Sequence, residues 1–194
     1  MFNFDHSPSF AYSILICLII IERIGELFYS KKNEKRLLER GALEFGKKTY
    51  ILIVIYQVTW ILTCLIGDFS ISNQTNFIQI FIGFILLIFA KHYGSLVLRP
   101  SKSRWTTKII VLPNEPLIQK GIYKYIKHPN YLGVILESFA LPLIGGLWEL
   151  SFVFGILSIF VMSLKTRIEE SALIKYCGYD KLFGRDIKSD QVCQ

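Results

Sequence analysis

Residues 121–170 read GIYKYIKHPNYLGVILESFALPLIGGLWELSFVFGILSIFVMSLKTRIEE, and this stretch decides the fold. It contains two apolar runs, 131–144 and 147–164, which are separated by Gly145-Gly146. Pro129 disfavours a helical conformation for the residue before it, so we expect a helix to start just after it. Two apolar runs joined by a glycine turn predict a helical hairpin that crosses a membrane twice.

The composition also favours a membrane protein. Of the 194 residues, 52% are apolar and 14% are aromatic. The mean hydropathy is +0.42. These values are high for a soluble domain. The formal net charge of +7 is compatible with nucleic acid, with acidic lipid or with asymmetric loops. The positions of the charges must therefore decide between these partners.

Apolar segments along the chain predict an all-α integral membrane helical bundle with about five transmembrane helices. The first apolar stretch, 10–21, is short, but the charged residues after it recur at helical spacing, so we expect the helix to continue to residue 28. The chain is predicted to form a single membrane-embedded domain, 1–194, with a soluble tail, 165–194. The five predicted spans are 10–28, 50–66, 77–98, 131–144 and 147–164.

Two long polar segments lie between predicted spans. Residues 30–48 carry charges of both signs, and Gly41 is expected to close a surface helix there. Residues 99–127 are basic and contain three prolines and an apolar patch at 109–112. A connection of that length in a small chain is typical of a functional segment.

Lysine and arginine occur only in alternate segments of the chain. Residues 23–48 contain eight, residues 91–127 contain eight and the tail contains six, which accounts for all 22. The positive-inside rule then places the amino terminus outside and the carboxyl terminus in the cytoplasm. Five spans agree with this, because an odd number of spans puts the two termini on opposite sides. The expected location is the bacterial inner membrane. Since topology and anionic lipid explain the basic charge, we exclude nucleic acid as a partner.

Several classes of site lack their signature. The cysteines form no C-x-x-C pair and the three histidines have no H-x-x-H spacing, so we expect free thiols, no disulfide and no metal. There is no G-x-S-x-G, no P-loop and no G-x-G-x-x-G. Transport is weakly supported, because Glu137 is the one plausible charge within a span and no internal repeat is visible. The four cysteines are Cys17, Cys64, Cys177 and Cys193.

The polar segments resemble a known family. The motif L-I-x-x-G-x-Y-x-Y-I-K-H-P-N-Y-L-G at 117–133, the hairpin after it and R-I-E-E at 167–170 are similar to the isoprenylcysteine carboxyl methyltransferase family of integral membrane enzymes. Upstream motifs resemble its bacterial branch, and the resemblance covers most of residues 22–185. These upstream motifs are E-R-x-x-E-L at 22–27, S-K-x-N at 30–33, G-A-x-E-x-G at 41–46 and W-T-T at 105–107.

The resemblance implies a cytoplasmic pocket for S-adenosylmethionine (SAM) near the carboxyl-terminal hairpin. A sulfonium cation, a purine and an amino acid end suit aromatic rings and carboxylates. The implied catalytic residues are Arg167 and Glu170. The implied cofactor-binding residues are Glu115, Pro116, Leu117, Ile118, Tyr123, His128, Pro129, Asn130, Tyr131 and Glu169.

One spacing departs from the family pattern. Family members usually have about two residues between the Arg-Ile pair and the glutamates, whereas here Glu169 follows Ile168 directly. Either the helix register is shifted, or Lys165 takes the place of Arg167. A planar guanidinium would hold an acceptor oxygen through two hydrogen bonds.

The resemblance implies O-methylation of a lipophilic acceptor that comes from the bilayer. The family as a whole implies a prenylcysteine-type carboxylate, and its bacterial branch implies the hydroxyl of a phenolic or pyrone lipid. Two alternatives stay open, which are N-methylation of phospholipid amines and a non-catalytic membrane protein that binds or transports a ligand. The sequence does not indicate an oligomeric state.

Overall fold

Five α-helices account for most of the described residues, which are 10–70, 76–116, 118 and 121–177 of a computed structural model. Two three-residue strands and two short 3₁₀ turns complete the described part. The helices are α1 (Phe10–Glu39), α2 (Lys47–Ser70), α3 (Phe77–Ser101), α4 (Pro129–Ile144) and α5 (Trp148–Cys177). The strands are β1 (Leu43–Phe45) and β2 (Ile109–Val111).

Three of the helices are long and apolar enough to cross a membrane. They are Lys47–Gly67 within α2, Phe77–Val97 within α3, and α5, while α4 is a shorter apolar helix. Large apolar side chains such as Ile55, Ile88 and Phe160 are exposed on their outer faces, where a bilayer would cover them. The predicted all-α membrane bundle is confirmed.

The helix α1 is longer than the predicted first span. It continues without a break from Phe10 to Glu39 and therefore includes most of the segment that was expected to be a separate surface helix. No proline or glycine interrupts residues 26–39, and their lysines, arginines and glutamates favour helix. Gly41, with φ of 87°, does end it, because the amides of Gly41 and Ala42 bond back to Leu38 and Leu37.

The predicted hairpin is present, and its second helix extends beyond the predicted span. The turn contains Gly146 with φ of 75°, a left-handed conformation that glycine adopts without strain. The helix α5 runs to Cys177, so the first part of the expected tail is helical. The remainder of that tail, 178–194, lies outside the described residues.

The two strands form an antiparallel pair that the sequence did not predict. Leu43 pairs with Val111 and Phe45 with Ile109. Ile109 and Val111 are buried with Ala172 of α5 in a small apolar cluster. This contact fixes the polar segment between α3 and α4 against the last turns of α5.

Candidate functional site

A cavity of about 210 Å³ lies where α4 begins, and we call it the main cavity. Of the ten residues expected to bind the cofactor, nine line it, and the tenth, Leu117, lies outside the described residues. The nine are Glu115, Pro116, Ile118, Tyr123, His128, Pro129, Asn130, Tyr131 and Glu169.

Pro129 determines where α4 begins, and the main cavity lies at this amino-terminal end of the helix. It is the first residue of α4, and His128 before it has a non-helical backbone with φ of −126° and ψ of 65°. A proline at this position needs no hydrogen-bond donor, and it forces the preceding residue out of the helix. The side chains of His128 and Tyr131 therefore lie together at the amino-terminal end of α4.

The rings of His128 and Tyr131 stack with an interplanar angle of 1° and centroids 5.3 Å apart. The Tyr131 hydroxyl donates a hydrogen bond to the Glu169 carboxylate. The His128 Nδ1 atom lies 3.3 Å from Glu169, and its Nε2 atom lies 3.2 Å from Glu170. Residues from the two arms of the hairpin thus form one polar cluster.

The surroundings of His128 favour its protonated form. Burial alone would lower the pKa of His128, but the hydrogen bonds and negative charges of Glu169 and Glu170 act in the opposite direction and prevail. The pKa of His128 therefore lies above its ordinary value. A protonated imidazole donates from both ring nitrogens, which matches a carboxylate on each side.

Lys165 is a buried cation in the lining of the main cavity. Its Nζ atom donates to the carbonyl oxygen of Thr107 at 2.8 Å and lies 5.0 Å from the centroid of the Tyr131 ring. An ammonium group has three N–H donors, so it can also bind an oxygen atom in the cavity. The sequence indicated Lys165 only as an alternative to Arg167.

Arg167 and Glu170 were predicted to be catalytic. Both lie in the described part of the chain, and neither lines the main cavity. Glu170 contacts the cavity indirectly, through His128. The side chain of Arg167 is exposed. Because it is two residues from both Lys165 and Glu169, it points about 200° away from them around the helix axis. The structure therefore brings Lys165, and not Arg167, into the cavity.

Two lining residues, Arg104 and Trp105, were not predicted as site residues. Arg104 donates two hydrogen bonds to the carbonyl oxygen of Pro116, at 2.9 and 2.8 Å, and lies 3.2 Å from Glu115. The indole Nε1 of Trp105 is buried and has no hydrogen-bond partner among the described residues. The W-T-T motif at 105–107 was the available signal for this wall of the cavity.

The helix α1 holds this wall in place. The side-chain amide of Asn33 donates to the carbonyl oxygens of Lys102 and Trp105 at 2.8 and 2.9 Å. The Ser30 hydroxyl accepts a hydrogen bond from the backbone amide of Thr107 at 2.8 Å. The S-K-x-N motif at 30–33 thus positions the W-T-T segment. No group of three or more metal-ligating side chains occurs in the described ranges.

Comparisons with known proteins agree with the motifs. The sequence model of the isoprenylcysteine carboxyl methyltransferase (ICMT) family matches residues 82–175. The chain is 30% identical over 164 residues to a Bacillus subtilis protein described as uncharacterized protein YpbQ. The aligned residues make up 84% of this chain and 96% of the relative. The chain is 29% identical over 166 residues to an uncharacterized Haemophilus influenzae protein, covering 83% and 94%. No solved structure matches the chain.

Proposed function

Since the chain belongs to the isoprenylcysteine carboxyl methyltransferase family of membrane methyltransferases, we propose that it transfers the methyl group of SAM to an oxygen atom of a lipophilic acceptor. One observation carries this proposal. Residues from the segment before α4, from α4 itself and from α5 converge on one cavity at the end of helices that can cross a membrane. A site at the end of membrane-crossing helices suits a polar donor from the aqueous phase and an acceptor from the bilayer.

The side chains of the main cavity fit SAM. Tyr123 and Trp105 offer aromatic rings for a purine, and Glu169 offers a carboxylate for a cationic centre. The unpartnered indole N–H of Trp105 is a donor available to a ligand. When bound, SAM supplies an electrophilic methyl group. The chain supplies binding, orientation and a cavity between helices.

His128 and Tyr131 orient Glu169 for this role. The carboxylate accepts a hydrogen bond from the Tyr131 hydroxyl and lies 3.3 Å from the His128 Nδ1 atom. Two partners fix its direction, and fixed charges favour a cation without further reorganisation. Glu170 supports the arrangement from outside the cavity by holding the other ring nitrogen of His128.

Lys165 is the cation that we assign to the acceptor oxygen. It is buried in the cavity, whereas Arg167 is exposed. A positive charge at that place lowers the pKa of a hydroxyl acceptor and holds the resulting oxygen anion near the donor. Arg167 stays the alternative that the family motif supports.

We propose further that the carboxyl terminus lies in the cytoplasm and the amino terminus on the outer side of a bacterial inner membrane. The restriction of all 22 lysines and arginines to alternate segments supports this orientation. The main cavity is then on the cytoplasmic side, where a soluble donor is available.

Calorimetric titration of SAM into the full chain, purified in detergent, tests donor binding. We expect the intact protein to bind SAM, and His128→Ala to bind it about ten-fold more weakly or worse, because the variant loses the group that holds Glu169 and Glu170. Glu39→Gln, an exposed change near the end of α1, is the matched control and should bind as the intact protein does. Absence of SAM binding by the intact protein would contradict the proposal.

Transfer of labelled methyl groups to a lipid extract, followed by mass spectrometry, tests the reaction. We expect the label on an oxygen atom of a lipid. Label on nitrogen would instead assign the chain to the phospholipid-amine methyltransferases.

A further inference from the structure

The outer face of α1 is apolar up to the end of its predicted span. Ile21, Ile24 and Phe28 follow one another at spacings of three and four residues, so they lie along one side of the helix. They are 64%, 47% and 73% exposed, as side chains in contact with lipid chains are. Arg23 lies on another side of α1, where it pairs with Glu137 of α4. The outer face is therefore suited to the hydrocarbon part of a bilayer.

Four cations continue this face directly after Phe28, and we call them the basic patch. Lys31 and Lys32 lie three and four residues after Phe28, and Lys35 and Arg36 lie one turn further along the helix. All four side chains are exposed. None of them has an ion-pair partner in the described part of the chain. One side of α1 thus changes from apolar to basic within a single turn.

The basic patch begins where the hydrocarbon core of a bilayer would end. From Phe10 to Phe28, α1 is about 27 Å long at a rise of about 1.5 Å per residue. The hydrocarbon core is about 30 Å thick, and the phosphate groups of the lipids lie just outside it. The long stems of lysine and arginine can follow the apolar surface and place their charges at that level.

The acidic residues nearby do not neutralise the basic patch. The carboxylate of Glu34 contacts Lys108 in the lining of the main cavity, and its side chain is 13% exposed. Glu39 is the one exposed acid between residues 31 and 39, so four cations and one carboxylate give the outward side chains a formal charge of +3. A solvated helix face is the simpler explanation of a charged segment, but such a face usually alternates both signs. Here like charges lie one turn apart and repel each other, which an anionic ligand would relieve.

We propose that the basic patch and the apolar face before it form a binding site for an anionic phospholipid. The ammonium groups of Lys31 and Lys35 donate to the phosphate oxygens, while the acyl chains lie along Ile24 and Phe28. A cluster of four or more cations directly beyond a membrane helix is typical of such lipid recognition. The site is separate from the main cavity, and the proposal does not depend on the proposed function.

The opposite side of the same two turns supports the main cavity. Ser30 and Asn33 are buried there and bond to the backbone of Thr107 and Trp105 at 2.8 and 2.9 Å. A lipid bound to the basic patch therefore holds at the membrane surface the part of α1 that positions this cavity wall.

Native mass spectrometry of the full chain, purified in detergent and stripped of lipid, tests the site. The probes are phosphatidylglycerol and phosphatidylcholine with the same acyl chains. We expect the first phosphatidylglycerol molecule to bind at least about ten-fold more tightly than phosphatidylcholine. Glycerophosphoglycerol, the same headgroup without acyl chains, should not displace it at an equal concentration. Equal affinity for the two lipids overturns the anionic class, and displacement by glycerophosphoglycerol overturns the assignment to a lipid.

Two double variants of equal charge locate the site. Lys31→Gln with Lys35→Gln should reduce the preference for phosphatidylglycerol to about two-fold, because half of the basic patch is neutralised. Lys124→Gln with Lys175→Gln neutralises two exposed lysines outside α1, and its preference should stay within about two-fold of that of the intact chain. Circular dichroism and gel filtration report whether both variants are folded. An equal loss in the two variants would mean that net charge attracts the lipid, and it would overturn the site on α1.

Discussion

Lys165 and Arg167 lie on different sides of α5, and this difference predicts opposite results for two matched substitutions. Lys165→Met keeps an unbranched chain but removes the cation from the cavity, so we expect the rate of methyl transfer to fall about ten-fold or more. Arg167→Met changes an exposed side chain, so we expect a rate within about two-fold of that of the intact protein. Single-turnover rates at saturating SAM measure both. The reverse order would return the role to Arg167.

His128 should stabilise the fold in a pH-dependent way. Its pKa is raised by Glu169 and Glu170 against the effect of burial. The protonated form therefore contributes stability that is fully present below the unfolded-state pKa of about 6.5 and is lost as the pH rises through the higher folded-state pKa. We expect the difference in melting temperature between the intact chain and His128→Gln to be larger at about pH 6 than at about pH 9. Thermal unfolding in detergent at both pH values measures it, and an equal or smaller difference at the lower pH would contradict the assignment.

Single residues of the site were predictable where a local motif carries them. The H-P-N-Y motif specifies its own geometry, because Pro129 starts α4 and places His128 and Tyr131 at its mouth. The choice between Lys165 and Arg167 follows from helical spacing once Glu169 is taken as a site residue, because Lys165 lies four residues from Glu169 and shares its face, whereas Arg167 lies two residues away on the other side. The family motif had favoured Arg167. Arg104 and Trp105 enter the cavity through the path of the 99–127 segment, and no local pattern determines that path.

At the level of elements, the close approach of α3 and α4 depends on Gly83. A Cβ atom at this position would lie 2.7 Å from the Cγ1 atom of Ile144 and 3.0 Å from its backbone nitrogen. Since backbone cannot yield easily, Gly83→Ala should lower the free energy of unfolding by about 1–3 kcal/mol. Denaturant titration in detergent measures the change.

Gly25 provides the control for this substitution. It is also helical, but a Cβ atom there would have nothing within 4 Å. Gly25→Ala should leave stability unchanged or raise it by up to about 1 kcal/mol, because alanine has the higher helix propensity. If Gly25→Ala lowered the free energy of unfolding as much as Gly83→Ala does, any added methyl group would destabilise these helices. The effect at Gly83 could then not be attributed to its close contact with Ile144.

The elements themselves differed in how well the sequence predicted them. Long apolar runs and a double-glycine turn gave the hairpin, since both signals are local. The pair of β1 and β2 escaped prediction because each strand has only three residues and its partner lies far away in sequence. The segment 109–112 was recognised as apolar, but its burial against α5 is a tertiary contact.

At the scale of the whole molecule, ion pairs between charged side chains connect helices that are far apart in the sequence. Pairing of Arg23 with Glu26 follows from helical spacing. Its contact with Glu137 links residues 114 positions apart, and Lys91 connects Glu137 with Glu22. No periodicity reveals such a network, so it becomes visible only once α1, α3 and α4 are assembled.

The orientation of the molecule depends on α1. Its apolar part, 10–21, is followed by Glu22, Arg23 and Glu26, and α1 is not among the three long apolar helices of the described chain. If α1 crosses the membrane, the five helices place the two termini on opposite sides. If it does not, both termini lie on the same side. The contacts of Arg23 with Glu137 and of Lys91 with Glu22 favour crossing, because they bring the middle of α1 beside α3 and α4.

Reporter fusions at both ends decide between these arrangements. Under the proposed topology we expect green fluorescent protein after Gln194 to fluoresce, as a fusion in the cytoplasm does, and alkaline phosphatase before Met1 to be active, as a fusion outside the cytoplasm is. The opposite reporter at each end is the control and should be silent. An inactive phosphatase at Met1 with a fluorescent carboxyl terminus would mean that α1 does not cross the membrane. In that case the protein would have four spans, and α1 would be held against α3 and α4 by the contacts of Arg23 with Glu137 and of Glu22 with Lys91.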